Sequence, residues 1–168
     1  MAIQKMLLNI FCDVFASDRR LRRRFVATSA LQQELRMTEV IRQDVTFEAT
    51  PDRVFEALVD GPTFTRMTGA PAEIDGSAGG SFSCFGGAIT GRNLEVVKGR
   101  RLVQGWRAGP WPEGIYSLVR FELEGQGDGT KLTLEHSAFP PGQGDHLGAG
   151  WEANYWAPMR KMLADHAA

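Results

Sequence analysis

Few side chains in this chain could do chemistry, and they are scattered. His136 closes an alternating run in which Leu132 and Leu134 share its face. Its imidazole is therefore expected to point inward, either as a core-edge histidine satisfied by backbone groups or as a polar contact for a ligand. No partner at a recognisable spacing would make it a general base. Ser137 is adjacent but falls on the opposite face of a regular strand, and nothing indicates that Glu135 and Asp145 meet as a carboxylate pair. His146 and His166 have no His or Cys at ligand spacing, and two cysteines, Cys12 and Cys84, are too few for a disulfide framework or an all-cysteine zinc site. Cys84 alternates with Phe82 and reads as a small buried hydrophobe. The glycine runs over 76–80 and 86–87 match neither a phosphate loop nor a dinucleotide fingerprint. No catalytic residue, metal site or cofactor is expected.

The stronger signal is aromatic. Phe82, Trp106, Phe121, Trp151, Tyr155 and Met159 converge if the last helix packs on a sheet. Such a set can be plain core, or it can wall a cavity for a small apolar molecule with His136 as its polar tip. Trp111 lies between Pro110 and Pro112 and is expected to stand exposed in a loop. There it would serve as a partner or ligand contact, with Arg100 and Arg101 in the loop before the Trp106 strand as further partner contacts.

The elements that must hold these residues follow from periodicity. Ile41, Val45 and Phe47 share one face of a half-buried strand. Thr50-Pro51 opens a helix, with Thr50 as cap, Pro51 in the first turn and Val54, Phe55 and Leu58 as its apolar stripe. Asp60-Gly61-Pro62 ends it and starts a second short helical turn with Phe64 and Met67. Glycine-punctuated runs over 81–85, 88–97, 102–107, 115–124 and 131–136 then indicate an antiparallel meander. Ser117, Val119, Phe121 and Leu123 should form a core face, because Arg120, Glu122 and Glu124 occupy the other. Leu147, Trp151, Tyr155, Met159 and Met162/Leu163 recur at helical spacing, with Pro158 expected to kink that helix and to leave the Asn154 carbonyl unpaired.

The 168 residues leave room for one domain of ordinary size, and 43% apolar with 23% charged residues is a soluble globular composition. A net charge of −1 gives no electrostatic case for nucleic acid. The charge is uneven: residues 1–36 carry a net +4 and the remainder −5, so a boundary is expected near Met37. The first segment reads as a basic leader, as an amphipathic docking helix built on Leu7, Ile10, Phe11, Val14 and Phe15, or as a targeting sequence. It is too short and polar to span a membrane.

Four stretches carry a family resemblance: residues 49–58, the glycine-flanked hairpin over 79–91, Trp106-Arg107 followed by Trp111-Pro112-Glu113-Gly114, and Gly150-Trp151 with Tyr155, Trp156 and Pro158. In this order they resemble the START-like (SRPBCC) helix-grip superfamily and, within it, the activators of the 90-kilodalton heat-shock protein ATPase. The resemblance runs from about Thr38 to His166. It implies an α+β helix-grip fold over 37–168: a curved antiparallel β-sheet wrapped around a long C-terminal helix, with two short helices after the first strand. It also implies an apolar cavity between helix and sheet. The expected function is cytoplasmic and non-enzymatic, holding an apolar ligand or docking on a partner. Co-chaperone action on the 90-kilodalton chaperone and cyclase- or hydrolase-type chemistry in the cavity are the alternatives.

Overall fold

A computed structural model describes residues 39–164. The expected leader over 1–36, the boundary at Met37 and the tail with His166 lie outside the described residues.

Strand β1 (Ile41–Phe47) leads into helices α1 (Pro51–Val59) and α2 (Gly61–Thr68). A meander follows: β2 (Glu73–Ile74), β3 (Ser81–Cys84), β4 (Ile89–Val97), β5 (Arg101–Ala108), β6 (Ser117–Gln126) and β7 (Gly129–Ser137). The chain closes with α3 (Gly144–Trp151), a π-helical turn (Glu152–Trp156) and α4 (Ala157–Ala164). All seven strands form one antiparallel sheet in the order β1-β7-β6-β5-β4-β3-β2, so the first strand pairs with the last. The two-residue β2 is too short to signal itself in the sequence.

The expected alternation is what folds the sheet. Ser117, Val119, Phe121 and Leu123 on β6 are buried, as are Leu132, Leu134 and His136 on β7. The outer face carries a chain of ion pairs in which Glu135 meets both Arg42 and Arg120, and Arg101 meets Glu95 and Glu122. These exposed pairs add little stability each, but they keep that face wet and fix which side turns inward. A register shift between Asn93 and Glu95 leaves Leu94 as an extra, exposed residue. The same bulge turns Asn93 inward, where its Oδ1 accepts from Gln104 Nε2 at 2.9 Å and its Nδ2 donates to the Asp75 carbonyl at 2.8 Å.

Two local expectations are corrected. Thr50 occupies the cap position with extended backbone, but its hydroxyl makes no capping bond; the turn is held by Pro51 and by Val54 N–H donating to the Thr50 carbonyl at 3.1 Å. In α2 the cap is Asp60, whose carboxylate accepts from Thr63 N–H at 2.9 Å. Pro158 breaks the closing helix less than expected. The turn just before it widens, with Ala157 N–H donating five residues back to the Glu152 carbonyl, and α4 continues from there. The wide turn brings two consecutive residues, Tyr155 and Trp156, to the buried side together with Trp151, Met159 and Leu163. Trp156 stacks on Trp151 at 5.6 Å and donates its indole N–H to Gln43 Oε1 at 2.6 Å, while Gln43 Nε2 donates to the Gly148 carbonyl at 2.9 Å. One β1 side chain therefore ties both halves of the closing helix to the sheet.

Candidate ligand cleft

The centre of the interior is a directional chain of hydrogen bonds. Trp151 Nε1–H donates to His136 Nδ1 at 3.1 Å. An indole nitrogen can only donate, so Nδ1 carries the lone pair and the neutral ring holds its proton on Nε2. Nε2 lies 2.7 Å from Ser117 Oγ and donates to it, and Ser117 Oγ donates in turn to the Trp106 carbonyl at 3.0 Å. The chain links α3, β7, β6 and β5. Burial disfavours the charged imidazole and brings its pKa down to about 4. His136 is wholly buried between Trp106 and Phe139, each ring 5.1 Å from its own. It is thus satisfied by side chains, where backbone partners were expected.

Around the chain, Trp106, Trp151 and Tyr155 form one wall. Trp151 and Tyr155 sit 4.4 Å apart, and Trp106 lies 6.0 Å from Trp151. Burial raises the pKa of Tyr155, whose hydroxyl meets the Trp106 indole N–H. Burial also pushes the Cys84 thiol up to about 12, so this cysteine is inert packing, as its alternation with Phe82 indicates.

The wall opens on a cleft of about 620 Å³ between α3, the start of β4 and the β5–β6 connection. That volume suits a small organic molecule. Trp111 forms the far side. It is not an exposed loop residue: it is 7% exposed and packs edge-to-face on Trp106 at 5.5 Å. Three bonds fold its loop back: Gly109 N–H to the Ala88 carbonyl, Trp111 N–H to the Ala108 carbonyl, and an Arg107 guanidinium N–H to the Trp111 carbonyl. Phe85 completes the rim. Its φ of 54° is unfavourable for a residue with a side chain, and its ring is held against Phe64 and Tyr155 at 5.4 and 5.5 Å.

Of the seven expected ligand contacts, Trp106, Trp151 and Tyr155 line this cleft. Phe121, His136 and Met159 stand behind them as core, 1%, 0% and 0% exposed. Phe82 borders a separate groove with Ile74, Gly91 and Leu94. Of the expected partner contacts, Arg100 is exposed in the β4–β5 turn, whereas Arg101 is the first residue of β5 and already holds two carboxylates. Sequence reasoning missed Ser117, Phe85, Gln143 and the inward turn of Trp156. Glu135 and Asp145 do not pair: Glu135 holds arginines and Asp145 is an exposed residue of the first turn of α3. Among the described residues no group of three or more His, Cys, Asp or Glu side chains could hold a metal ion, and no helix is long and apolar enough to cross a membrane.

A curved antiparallel sheet closed by a C-terminal helix, with two short helices after the first strand, is the α+β helix-grip fold of START-like proteins. Residues 48–164 match the family described as Activator of Hsp90 ATPase homolog 1-like protein, and the chain belongs to that family. It is 23% identical over 118 residues to the human activator of 90 kDa heat shock protein ATPase homolog 1, covering 70% of this chain and 35% of the human protein. The curated relatives are longer: this chain spans between 31% and 38% of their length. Among solved structures it is similar to PFC0360w, an HSP90 activator from Plasmodium falciparum, at 30% identity and a TM-score of 0.71, covering 74% of this chain and 96% of that one. It is also similar to CalU16 from Micromonospora echinospora, at 28% identity and a TM-score of 0.63, covering 75% and 76%.

Proposed function

We propose that this domain is a binding protein that takes a flat, apolar small molecule into the cleft and does not convert it. The observation that carries the reading is the aromatic wall of Trp106, Trp111, Trp151 and Tyr155 around about 620 Å³ of open space. Each Å² of apolar surface removed from water contributes roughly 25 cal/mol, so a two-ring ligand burying about 300 Å² gains up to ~7 kcal/mol before ordering costs. Catalysis by His136 is disfavoured on geometry: both ring nitrogens are engaged, and no face of the ring is open to the cleft lining. Titration with naphthalene- and indole-type compounds, followed by tryptophan fluorescence, tests the reading. Saturable quenching below about 100 μM that is lost in Trp111→Ala is expected; conversion of a bound compound, abolished in His136→Ala, would move the protein to the enzymes.

A second reading has its own support. PFC0360w, described as an HSP90 activator, is matched over 96% of its chain at 30% identity. On this reading the domain is a cytoplasmic co-chaperone and raises ATP turnover of the 90-kilodalton chaperone. Arg100, exposed in the β4–β5 turn, is the cation we assign to docking; Arg101 is already paired. Stimulation that weakens in Arg100→Ala and at high salt is the expected result. No stimulation and no complex at saturating protein would remove this reading and leave the first intact.

A further inference from the structure

The cleft is apolar in its walls but not everywhere. No Lys, Arg, Asp or Glu lines it. A charged ligand would lose hydration there with no Lys, Arg, Asp or Glu side chain to replace it. Besides Tyr155, four polar side chains border the space: Trp111, Gln143, His146, which is exposed, and Asn154, whose Nδ2 already donates to the Gly150 carbonyl. Trp111 is 93% removed from solvent, yet its indole N–H has no hydrogen-bond partner among the described residues. It is also absent from the fully enclosed unsatisfied atoms, so it still reaches open space. Gln143, half-buried where α3 begins, likewise has a carboxamide without a protein partner: its carbonyl accepts from Leu147 N–H, and its side chain caps nothing. The other indoles of the cluster are spoken for, Trp151 by His136, Trp156 by Gln43 and Trp106 by the Tyr155 hydroxyl.

Resting on the cleft reading above, we infer that Trp111 and Gln143 are its specificity-determining residues and select a neutral aromatic compound bearing a carbonyl-type oxygen. An indole N–H can only donate, so the group that satisfies Trp111 must accept; a carboxamide supplies two further N–H donors. A buried donor left empty by a hydrocarbon ligand loses its water and gains nothing, so the cleft discriminates against ligands without the oxygen. With no Lys or Arg in the lining, a carboxylate finds no permanent cation to replace its hydration.

The test uses three compounds of nearly one shape: 2-acetylnaphthalene, 2-isopropylnaphthalene and 2-naphthoate, titrated into the full chain by calorimetry. The ketone is expected to bind about tenfold tighter than the hydrocarbon and tighter than the carboxylate. In Trp111→Phe and in Gln143→Leu that preference, read as the ratio of ketone to hydrocarbon affinity within each variant, should fall to about threefold or less. Gln143 is half-buried at a helix start, so its variant keeps the test open if Trp111→Phe does not fold. Equal binding of ketone and hydrocarbon to the unaltered protein, or a preference that survives both substitutions, overturns the inference and leaves the cleft reading standing. If none of the three binds, the cleft reading fails and takes the inference with it.

Discussion

Trp151, on the closing helix, donates its indole N–H to Nδ1 of His136, on the last strand, and thereby fixes which ring nitrogen of His136 carries the proton. The relationship makes His136 a structural joint: it can neither turn nor take a second proton without breaking the bond from Trp151. Protonating Nδ1 would set two N–H groups against each other.

Acid stability should report this directly. The folded-state pKa of His136 is about 4, against an ordinary value of 6.5, so the unfolded chain takes up the proton first. The contribution of neutral His136 is complete above about pH 6.5 and is lost progressively as pH falls toward 4, by up to about 3 kcal/mol. Urea midpoints measured between pH 7 and 4 should fall for the unaltered protein. In His136→Gln the baseline is lower and the slope over that window should largely vanish. Parallel slopes would mean that other groups carry the pH dependence.

Removing links of the chain one at a time should rank them. Trp151→Ala removes packing and donor together and is expected to cost about 3–5 kcal/mol. Trp151→Phe keeps most of the packing and should cost about 1–3 kcal/mol, the penalty for leaving buried His136 Nδ1 without a donor. Ser117→Ala leaves the His136 Nε2–H without its acceptor and should fall in the same range. Equilibrium unfolding of the three variants decides this, and an unchanged midpoint in Trp151→Ala would remove the closing helix from the core.

Two glycines near the aromatic wall should respond in opposite ways to alanine. A Cβ on Gly91 would run into the Gly105 carbonyl and the Phe82 ring, and backbone cannot yield cheaply. Gly91→Ala is expected to cost at least about 2 kcal/mol. A Cβ on Gly105 meets only Leu94 methyls, the nearest at 3.8 Å. Gly105→Ala should therefore be neutral or stabilise by about 0.5 kcal/mol through the lower entropy of the unfolded chain. Thermal midpoints of the pair provide the check.

Gln43 offers a fourth measurement. Its amide serves Trp156 and the Gly148 carbonyl from the edge strand. Gln43→Leu, close in volume, leaves the donor of one and the acceptor of the other unpaired and should cost about 2 kcal/mol. The loss should appear mainly as faster hydrogen exchange in the closing helix, because the sheet's own ladder is untouched.

The inward faces of β1, β6 and β7 and the stripe Leu147–Trp151–Tyr155–Met159–Leu163 were legible because each is a local repeat that one burial direction explains. Ser117 was not, because its bond to His136 depends on how β6 and β7 line up: Val119 stands opposite His136, and Ser117 reaches it diagonally. Trp156 was hidden by the π turn, since a regular period cannot show a single widened turn. Trp111 looked exposed because prolines flank it; the bonds that bury it come from Arg107 and from tertiary packing on Trp106. The walls of the cleft were thus half visible, and its polar groups were not.

Strand order carries a consequence for synthesis. Five of the six strand pairings join strands consecutive in sequence, but β1 pairs only with β7, and Ile41 meets a partner 95 residues later. At roughly 5–20 residues per second, β1 waits on the order of 5–20 s on the ribosome before its neighbour exists. The apolar side of the meander waits longer still, for the segment from Gly144 to Ala164 that covers it. A chain terminated before Gly144 would have every strand and a bare inner surface. Its expected fate is aggregation or proteolysis, so nonsense and frameshift changes that fall before Gly144 should behave as complete losses.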